Sequence, residues 1–203
     1  MKHYLSSYRI GNNGEKLKEM IGDGKIGFIL NSKDFHNVHV LSEKLEQGIK
    51  TLNDLGLNVE HVDLKDYFGR KEDLKKKLDE LLGVWVAGGN VFVLRQAMYL
   101  SGFDEIMKNI ERDNFVYSGD SAGACVLSPN LEPYNLVDDP NLHPYEELNE
   151  TIWEGLGILD YVFLPHYKSN HEESRDVDKT VDYCESKGIP YKTLKDGEVI
   201  VIE

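Results

Sequence analysis

Short apolar runs alternate along the chain with longer segments in which apolar residues recur every three or four positions. The runs predict β-strands near residues 2–8, 25–31, 58–63, 83–87, 115–118 and 161–165, with a closing pair near 190–194 and 198–202. The segments between them include "NVHVLSEKLEQGIKTLNDLG" and "KEDLKKKLDELLG", which predict amphipathic helices that end on Gly56 and Gly83. This alternation predicts an α/β fold in which helices cover both faces of a mostly parallel sheet.

One weakly patterned segment interrupts the alternation at residues 128–150, "SPNLEPYNLVDDPNLHPYEELNE". Loops of this length inside a compact domain are commonly lids, substrate walls or disordered insertions. Because the segment directly follows a glycine-rich serine motif, we expect it to form a lid or a wall of a site. No internal repeat is present, so we expect a single domain over residues 1–203 with this loop insertion.

Composition narrows the possible partners. The chain has 203 residues, of which 40% are hydrophobic, enough for one sizeable core. Acidic residues outnumber basic ones by 36 to 23, and the net charge of −13 argues against a nucleic-acid partner. No window approaches the run of about 20 apolar residues that a membrane span needs, so we expect no membrane association and a cytoplasmic location. Only Cys125 and Cys184 are present, in no metal-ligand spacing, which predicts neither a disulfide framework nor a zinc site.

The stretch "SGDSAGA" offers the clearest candidate for chemistry. Gly119, Ser121 and Gly123 fit the GxSxG pattern, a sharp strand-to-helix turn that holds a nucleophile above a sheet. A helix beginning near Ala122 would point its free backbone N–H groups at the same place, where they can stabilise an oxyanion. The pattern also fits a glycine-rich turn that merely packs tightly against a sheet.

Two further stretches place polar groups at strand ends. "VWVAGGN" ends in Gly88, Gly89 and Asn90, and "LDYVFLPHY" runs from a strand into His166. Because the carboxyl ends of parallel strands meet at one edge of a sheet, these groups should lie beside Ser121. Gly89 could then supply a second oxyanion N–H, and His166 could act as the general base. A simple turn is an equally good interpretation of Gly88.

The three motifs "AGGN", "GDSAGA" and "FLPHY", in this order, resemble the dipeptidase E and cyanophycinase family of serine peptidases. The resemblance extends from about residue 25 to the end of the chain. It implies a flavodoxin-like three-layer α/β fold related to class I glutamine amidotransferases. It also implies cleavage of small peptides, including N-terminal Asp-Xaa dipeptides, by a Ser-His-Glu triad without metal or cofactor. On this resemblance Ser121 is the nucleophile, His166 the base, and Gly89 and Ala122 the oxyanion donors.

The third triad member departs from the family pattern. The family's glutamate lies in a turn between the last two strands, which here reads "LKDGEVIVI". Aligning "VIVI" with the family's final strand puts Asp196 at the position of the glutamate, with Glu198 as the alternate. A DG turn closing a hairpin explains both residues equally well.

Substrate contacts are predicted less directly. The resemblance suggests Asp138 and Arg175 as substrate-binding residues, and Asn90 lies beside the serine turn. Arg95, one turn into the helix after "GGN", is another candidate cation, since an acidic side chain or a terminal carboxylate calls for one. A charge on a solvated helix face is the alternative interpretation of both arginines.

We therefore expect a serine hydrolase that acts on small peptides through an acyl-enzyme, as a monomer or homodimer. A glutamine amidotransferase would need a cysteine at the elbow, but Cys125 lies four positions past Ser121. A catalytically idle binding or regulatory protein on the same fold is the main alternative, since fold does not imply function.

Overall fold

The computed structural model describes residues 1–203 and contains eight strands and seven α-helices. The strands are β1 Lys2–Ser6, β2 Lys25–Ile29, β3 Asn58–His61, β4 Gly83–Val86, β5 Val116–Asp120, β6 Val162–Leu164, β7 Tyr191–Thr193 and β8 Val199–Ile202. The helices are α1 Gly14–Ile21, α2 Val38–Asp54, α3 Lys71–Asp79, α4 Val91–Ser101, α5 Phe103–Lys108, α6 Ala122–Cys125 and α7 Ser174–Lys187. None of the helices is both long and apolar enough to span a membrane.

The main sheet has the strand order β3-β2-β4-β5-β1-β8. Its first five strands are parallel, and β8 pairs antiparallel with β1 at one edge. All of β4 and the first four residues of β5 are buried, because helices cover both faces of the sheet at its centre. The carboxyl ends of the parallel strands therefore lie along one edge, and the predicted α/β fold is confirmed.

The end of the chain differs from the predicted closing pair. β7 and β8 do not pair with each other. β7 pairs in parallel with β6 in a separate two-stranded sheet, whereas β8 joins the main sheet. The turn between β7 and β8 thus carries the chain from one sheet to the other, instead of closing a hairpin.

Two apolar clusters make up the core, one on each face of the main sheet. The larger packs α3, α4, α6 and α7 against the strands, and the smaller packs α1 and α2. Within the larger cluster, Arg95 is buried rather than lying on a helix surface. Its Nη1 is 2.9 Å from Asp104 Oδ2, and its Nε donates to the carbonyl of Glu154 at 2.8 Å. Because Arg95 is buried, is paired with Asp104 and does not line the cavity described below, it is not available to a substrate.

The segment 128–150 packs against α4. It contains a 3₁₀ turn at Glu132–Leu136, and Asp138 Oδ2 accepts a hydrogen bond from Val91 N at 2.8 Å. Gln96 Nε2 donates to the carbonyl of Leu142 at 2.9 Å. These contacts satisfy backbone groups that would otherwise be left without partners in an irregular segment. They also hold the segment on the face of α4.

The close contact between the serine turn and β4 requires Gly123. A Cβ atom at Gly123 would lie 2.0 Å from the carbonyl oxygen of Val86 and 2.7 Å from its carbonyl carbon. We expect Gly123→Ala to lower the free energy of unfolding by about 1–3 kcal/mol, because the backbone of β4 must move. Urea unfolding measures this. Glu46→Ala, at an exposed position of α2, is the control and should change the free energy of unfolding by no more than about 0.5 kcal/mol. An equally small loss in Gly123→Ala would contradict the packing argument.

Candidate active site

A cavity of about 340 Å³ opens at the carboxyl edge of the main sheet. Gly88, Gly89, Ser121 and His166 all line it, so the fold brings the three sequence motifs together. The residues that line the cavity include none from the segment 128–150. The hydrogen bonds of this segment hold it on α4, and its role as a lid or a wall stays a prediction.

Ser121 occupies the turn between β5 and α6 in a strained conformation. Its φ and ψ are 46° and −120°, in a region that non-glycine residues rarely adopt. Its N–H donates to the carbonyl of Ser6 at 3.2 Å, which ties the turn to the end of β1. No hydrogen bond joins the Ser121 hydroxyl to His166; in enzymes without substrate such contacts are often long.

Two backbone N–H groups near Ser121 are free. Neither Gly89 N nor Ala122 N donates a hydrogen bond within the protein. Gly89 has a φ of 152°, and a Cβ atom there would lie 2.6 Å from the carbonyl oxygen of Ser32, so only glycine fits this turn. Asp120 holds the turn in place, because its Oδ1 accepts from Gly88 N at 3.2 Å. Its Oδ2 accepts from Arg9 N at 3.1 Å, and burial raises the pKa of Asp120.

His166 follows β6 and is almost fully buried. Its Nδ1 lies 2.7 Å from Asp196 Oδ1, and its backbone N–H donates to Ser7 Oγ at 2.8 Å. Asp196 N donates to Ser169 Oγ at 2.8 Å, which fixes the turn that carries the carboxylate. Glu198 instead accepts from Lys195 N at 2.7 Å and is exposed. Of the two candidate acids, Asp196 is the one that contacts the histidine.

His171 covers one face of the His166 ring. The two ring centroids are 3.7 Å apart and the planes differ by 7°. Burial lowers the pKa of His166, the hydrogen bond that its Nδ1–H donates to Asp196 opposes that shift, and the positive charge of His171 lowers the pKa further. Asp196, Glu173, His171 and Tyr8 are the charged or titratable groups that face the ring.

These contacts predict the acid side of the pH profile. If neutral His166 is the base, kcat/KM should fall on acidification with a pKa below the ordinary imidazole value of about 6.5. His171→Asn should move that pKa upward, because it removes both the electrostatic repulsion by His171 and the stacked ring that shields His166 from water. Steady-state kinetics from pH 4.5 to 8 measures the shift. Exposed His39→Asn is the control, and a profile unchanged by His171→Asn would contradict the role of the stack.

His166, His171 and Glu173 form the one cluster whose spacing could suit a metal ion, since their ligand atoms lie within 4.8 Å of one another. A metal bound to an imidazole lies in the plane of the ring. The two stacked rings are nearly parallel with centroids 3.7 Å apart, so no point within bonding distance of both rings lies in both ring planes. His171 Nδ1 also accepts a hydrogen bond from Glu173 N at 3.2 Å. These side chains therefore do not fit a metal ion as they are arranged.

The predicted substrate-binding residues lie outside the residues that line the cavity. Asn90 caps α4, where its Oδ1 accepts from Phe92 N and Val93 N. Asp138 is half-buried at the N-terminus of α4, and desolvation raises its pKa to about 7. Arg175 is exposed on α7 and forms no ion pair. Each of these side chains thus supports the fold or faces solvent.

The cations of the cavity are residues that the sequence analysis missed. Arg9, Lys33 and Lys44 line it, and Lys33 is half-buried. Burial lowers the pKa of Lys33, and no carboxylate oxygen lies within 4.0 Å of its ammonium group. Lys33 follows the predicted strand 25–31, at the same edge as Gly89 and His166. The expectation that the carboxyl ends of parallel strands meet at one edge could therefore have found Lys33 as well.

Known proteins resemble this chain in both sequence and fold. An uncharacterized peptidase from Listeria monocytogenes is 32% identical over 126 residues, which cover 62% of this chain and 58% of that protein. Peptidase E from Streptomyces coelicolor is 30% identical over 132 residues, which cover 63% of this chain and 51% of that protein. The matches thus span about half to three fifths of the length of these relatives.

A solved structure agrees with these matches. The structure of a protein assigned as a peptidase E from Listeria monocytogenes EGD-e has a TM-score of 0.75 and 25% identity, and covers 98% of this chain and 96% of that chain. The sequence pattern of Peptidase family S51 matches residues 24–203, which include all three motifs. The predicted resemblance to the dipeptidase E family is therefore confirmed, and the chain belongs to peptidase family S51.

Proposed function

We propose that this protein is a serine hydrolase that cleaves small peptides through an acyl-enzyme on Ser121. The observation that carries the proposal is the 2.7 Å contact between His166 Nδ1 and Asp196, in the same cavity as the strained Ser121 turn. A carboxylate on Nδ1 keeps the proton there and leaves Nε2 free to act as a base. Membership of a peptidase family supports the same chemistry.

In the proposed mechanism, Ser121 Oγ attacks the scissile carbonyl while His166 Nε2 takes its proton. Asp196 stabilises the imidazolium, and the backbone N–H groups of Gly89 and Ala122 stabilise the oxyanion. The C–N bond then breaks as Nε2 gives its proton to the departing amine. Water, activated by His166, hydrolyses the ester and restores Ser121.

The cavity suits a short peptide. Its volume of about 340 Å³ is at the small end of ligand pockets. The unpaired ammonium of Lys33 is a receptor for a carboxylate, either the C-terminus of a dipeptide or an aspartyl side chain. Small peptides, including Asp-Xaa dipeptides, are accordingly the substrates we propose. Metals, cofactors and nucleic acid have no part in this proposal.

The alternative nucleophile, Cys125, is poorly suited to the role. It is buried in α6, its Sγ donates to the carbonyl of Phe163 at 3.4 Å, and burial raises its thiol pKa well above the ordinary value. A thiol must ionise to attack a carbonyl. These observations argue against a glutamine amidotransferase.

Labelling with a fluorophosphonate tests the proposed nucleophile. The wild-type protein should form one covalent adduct, located at Ser121 by peptide mass spectrometry. Preincubation with a dipeptide that the protein cleaves should slow the labelling, because the substrate occupies the site. If the folded wild-type protein does not label, the protein is not a serine hydrolase.

A further inference from the structure

Glu173 lies at the start of α7 and lines the cavity beside His166. Its Oε2 is 3.8 Å from His166 Nε2, the ring nitrogen opposite the one that Asp196 contacts. No lysine or arginine nitrogen lies within 4.0 Å of its carboxylate, although its side chain is only 33% exposed. The carboxylate therefore faces the cavity with no lysine or arginine partner from the protein, and its nearest basic groups are the imidazoles of His166 and His171.

The same cavity holds Lys33, which also lacks a partner of opposite charge. Lys33 and Glu173 influence each other's pKa, yet they do not form an ion pair. Two opposite charges that are held apart remain available to an occupant that carries both charges. Both groups are half-buried, and charges that are partly removed from water are stabilised by a partner of opposite charge.

The position of Glu173 identifies which part of a peptide it would meet. In the proposed mechanism, His166 Nε2 gives its proton to the departing amine. The residue that leaves must then lie next to Nε2, which is also next to Glu173. Resting on the proposed function, we infer that Glu173 selects peptides whose leaving residue carries a cationic side chain, lysine or arginine.

The surroundings of this subsite agree with a cation. Glu172 also lines the cavity, and it adds negative charge on the same side. Arg175, the cation that the sequence suggested for an acidic substrate, is exposed on α7 and does not line the cavity. A substrate with an acidic leaving residue would bring its carboxylate up to Glu173 and be repelled.

A matched set of dipeptides tests the inference. The N-terminal residue is kept constant, alanine or aspartate, whichever the wild type accepts, and the leaving residue is lysine, glutamine or glutamate. The wild type should have a kcat/KM for lysine roughly 10- to 100-fold above that for glutamine, the range expected for a hydrogen bond between charged groups. Glu173→Gln should reduce this ratio to about 1, and Glu173→Lys should reverse the order of lysine and glutamate.

Asp178→Asn is the control, because it removes the same charge from an exposed position on α7 outside the cavity. It should leave the ratio unchanged. A lysine preference that survives Glu173→Gln would overturn the inference, as would an equal loss for all three substrates, which instead indicates stabilisation of the imidazolium. Fluorophosphonate labelling of each variant separates the two proposals. A wild type that labels at Ser121 but shows no preference contradicts only the selectivity of Glu173.

Discussion

Ser121→Ala should abolish peptide hydrolysis while leaving the protein folded. Removing the nucleophile of a catalytic triad typically lowers kcat by about 10⁶-fold, because the remaining members cannot act without it. The substitution removes only a hydroxyl that makes no hydrogen bond in the structure, so packing around the turn changes little. The backbone strain at residue 121 should be similar in the variant, since alanine and serine both carry a Cβ atom.

Turnover of the best dipeptide, followed by release of a free amine, measures this effect. Circular dichroism and thermal unfolding establish that the variant is folded. Ser186→Ala, an exposed serine on α7, is the control and should keep full activity. Activity within tenfold of the wild type in Ser121→Ala would show that another residue performs the chemistry.

Asp196→Asn should lower kcat by about 10⁴-fold, the loss seen when the acid of such a triad becomes an amide. The amide would donate to His166 Nδ1 and so favour the tautomer with its proton on Nε2, which cannot accept a proton from Ser121. Because Asp196 lies 2.7 Å from Nδ1, replacing its carboxylate by an amide directly changes the hydrogen bond that sets the tautomer. The size of the side chain is conserved, so Ser7 and Ser169 can keep their places.

Glu198→Gln is the matched control, because Glu198 lies two residues away and its side chain accepts a hydrogen bond only from the backbone N–H of Lys195. It should change kcat less than threefold. If Glu198→Gln causes the larger loss, Glu198 rather than Asp196 is the orienting acid. Equal, small effects of both variants would contradict the triad.

Much of the fold could be predicted from the hydrophobic pattern. Strand periodicity, glycine stops and the alternation with amphipathic helices are local properties, and each strand of the parallel sheet lies within two or three residues of its predicted position. The separation of β7 from β8 was not predicted. Which strands pair depends on contacts distant in sequence, and a "KDGE" turn fits both a hairpin and a crossing between sheets.

The candidate site was predicted unevenly for a similar reason. Gly89, Ser121 and His166 follow strands directly, so topology alone brings them to one edge. His171 and Glu173 lie several residues beyond a strand, and their approach to His166 depends on how the chain turns before α7. Arg175 illustrates the limit of motif resemblance. It faces solvent, whereas Glu173, two positions earlier, lines the cavity.

Because the chain crosses from one sheet to the other between β7 and β8, the proposed catalytic residues are divided between the main sheet and the two-stranded sheet. Ser121 and both oxyanion donors belong to the main sheet, whereas His166 follows β6 in the small sheet and Asp196 lies on the connection. Ser7, at the end of β1, accepts from His166 N and bonds to the carboxylate of Asp196. A sliding of the small sheet by about an ångström would carry base and acid away together, with their mutual contact intact. Activity could then be lost with no change in secondary structure, and the hydrogen bonds of Ser7 to His166 and Asp196 oppose that displacement.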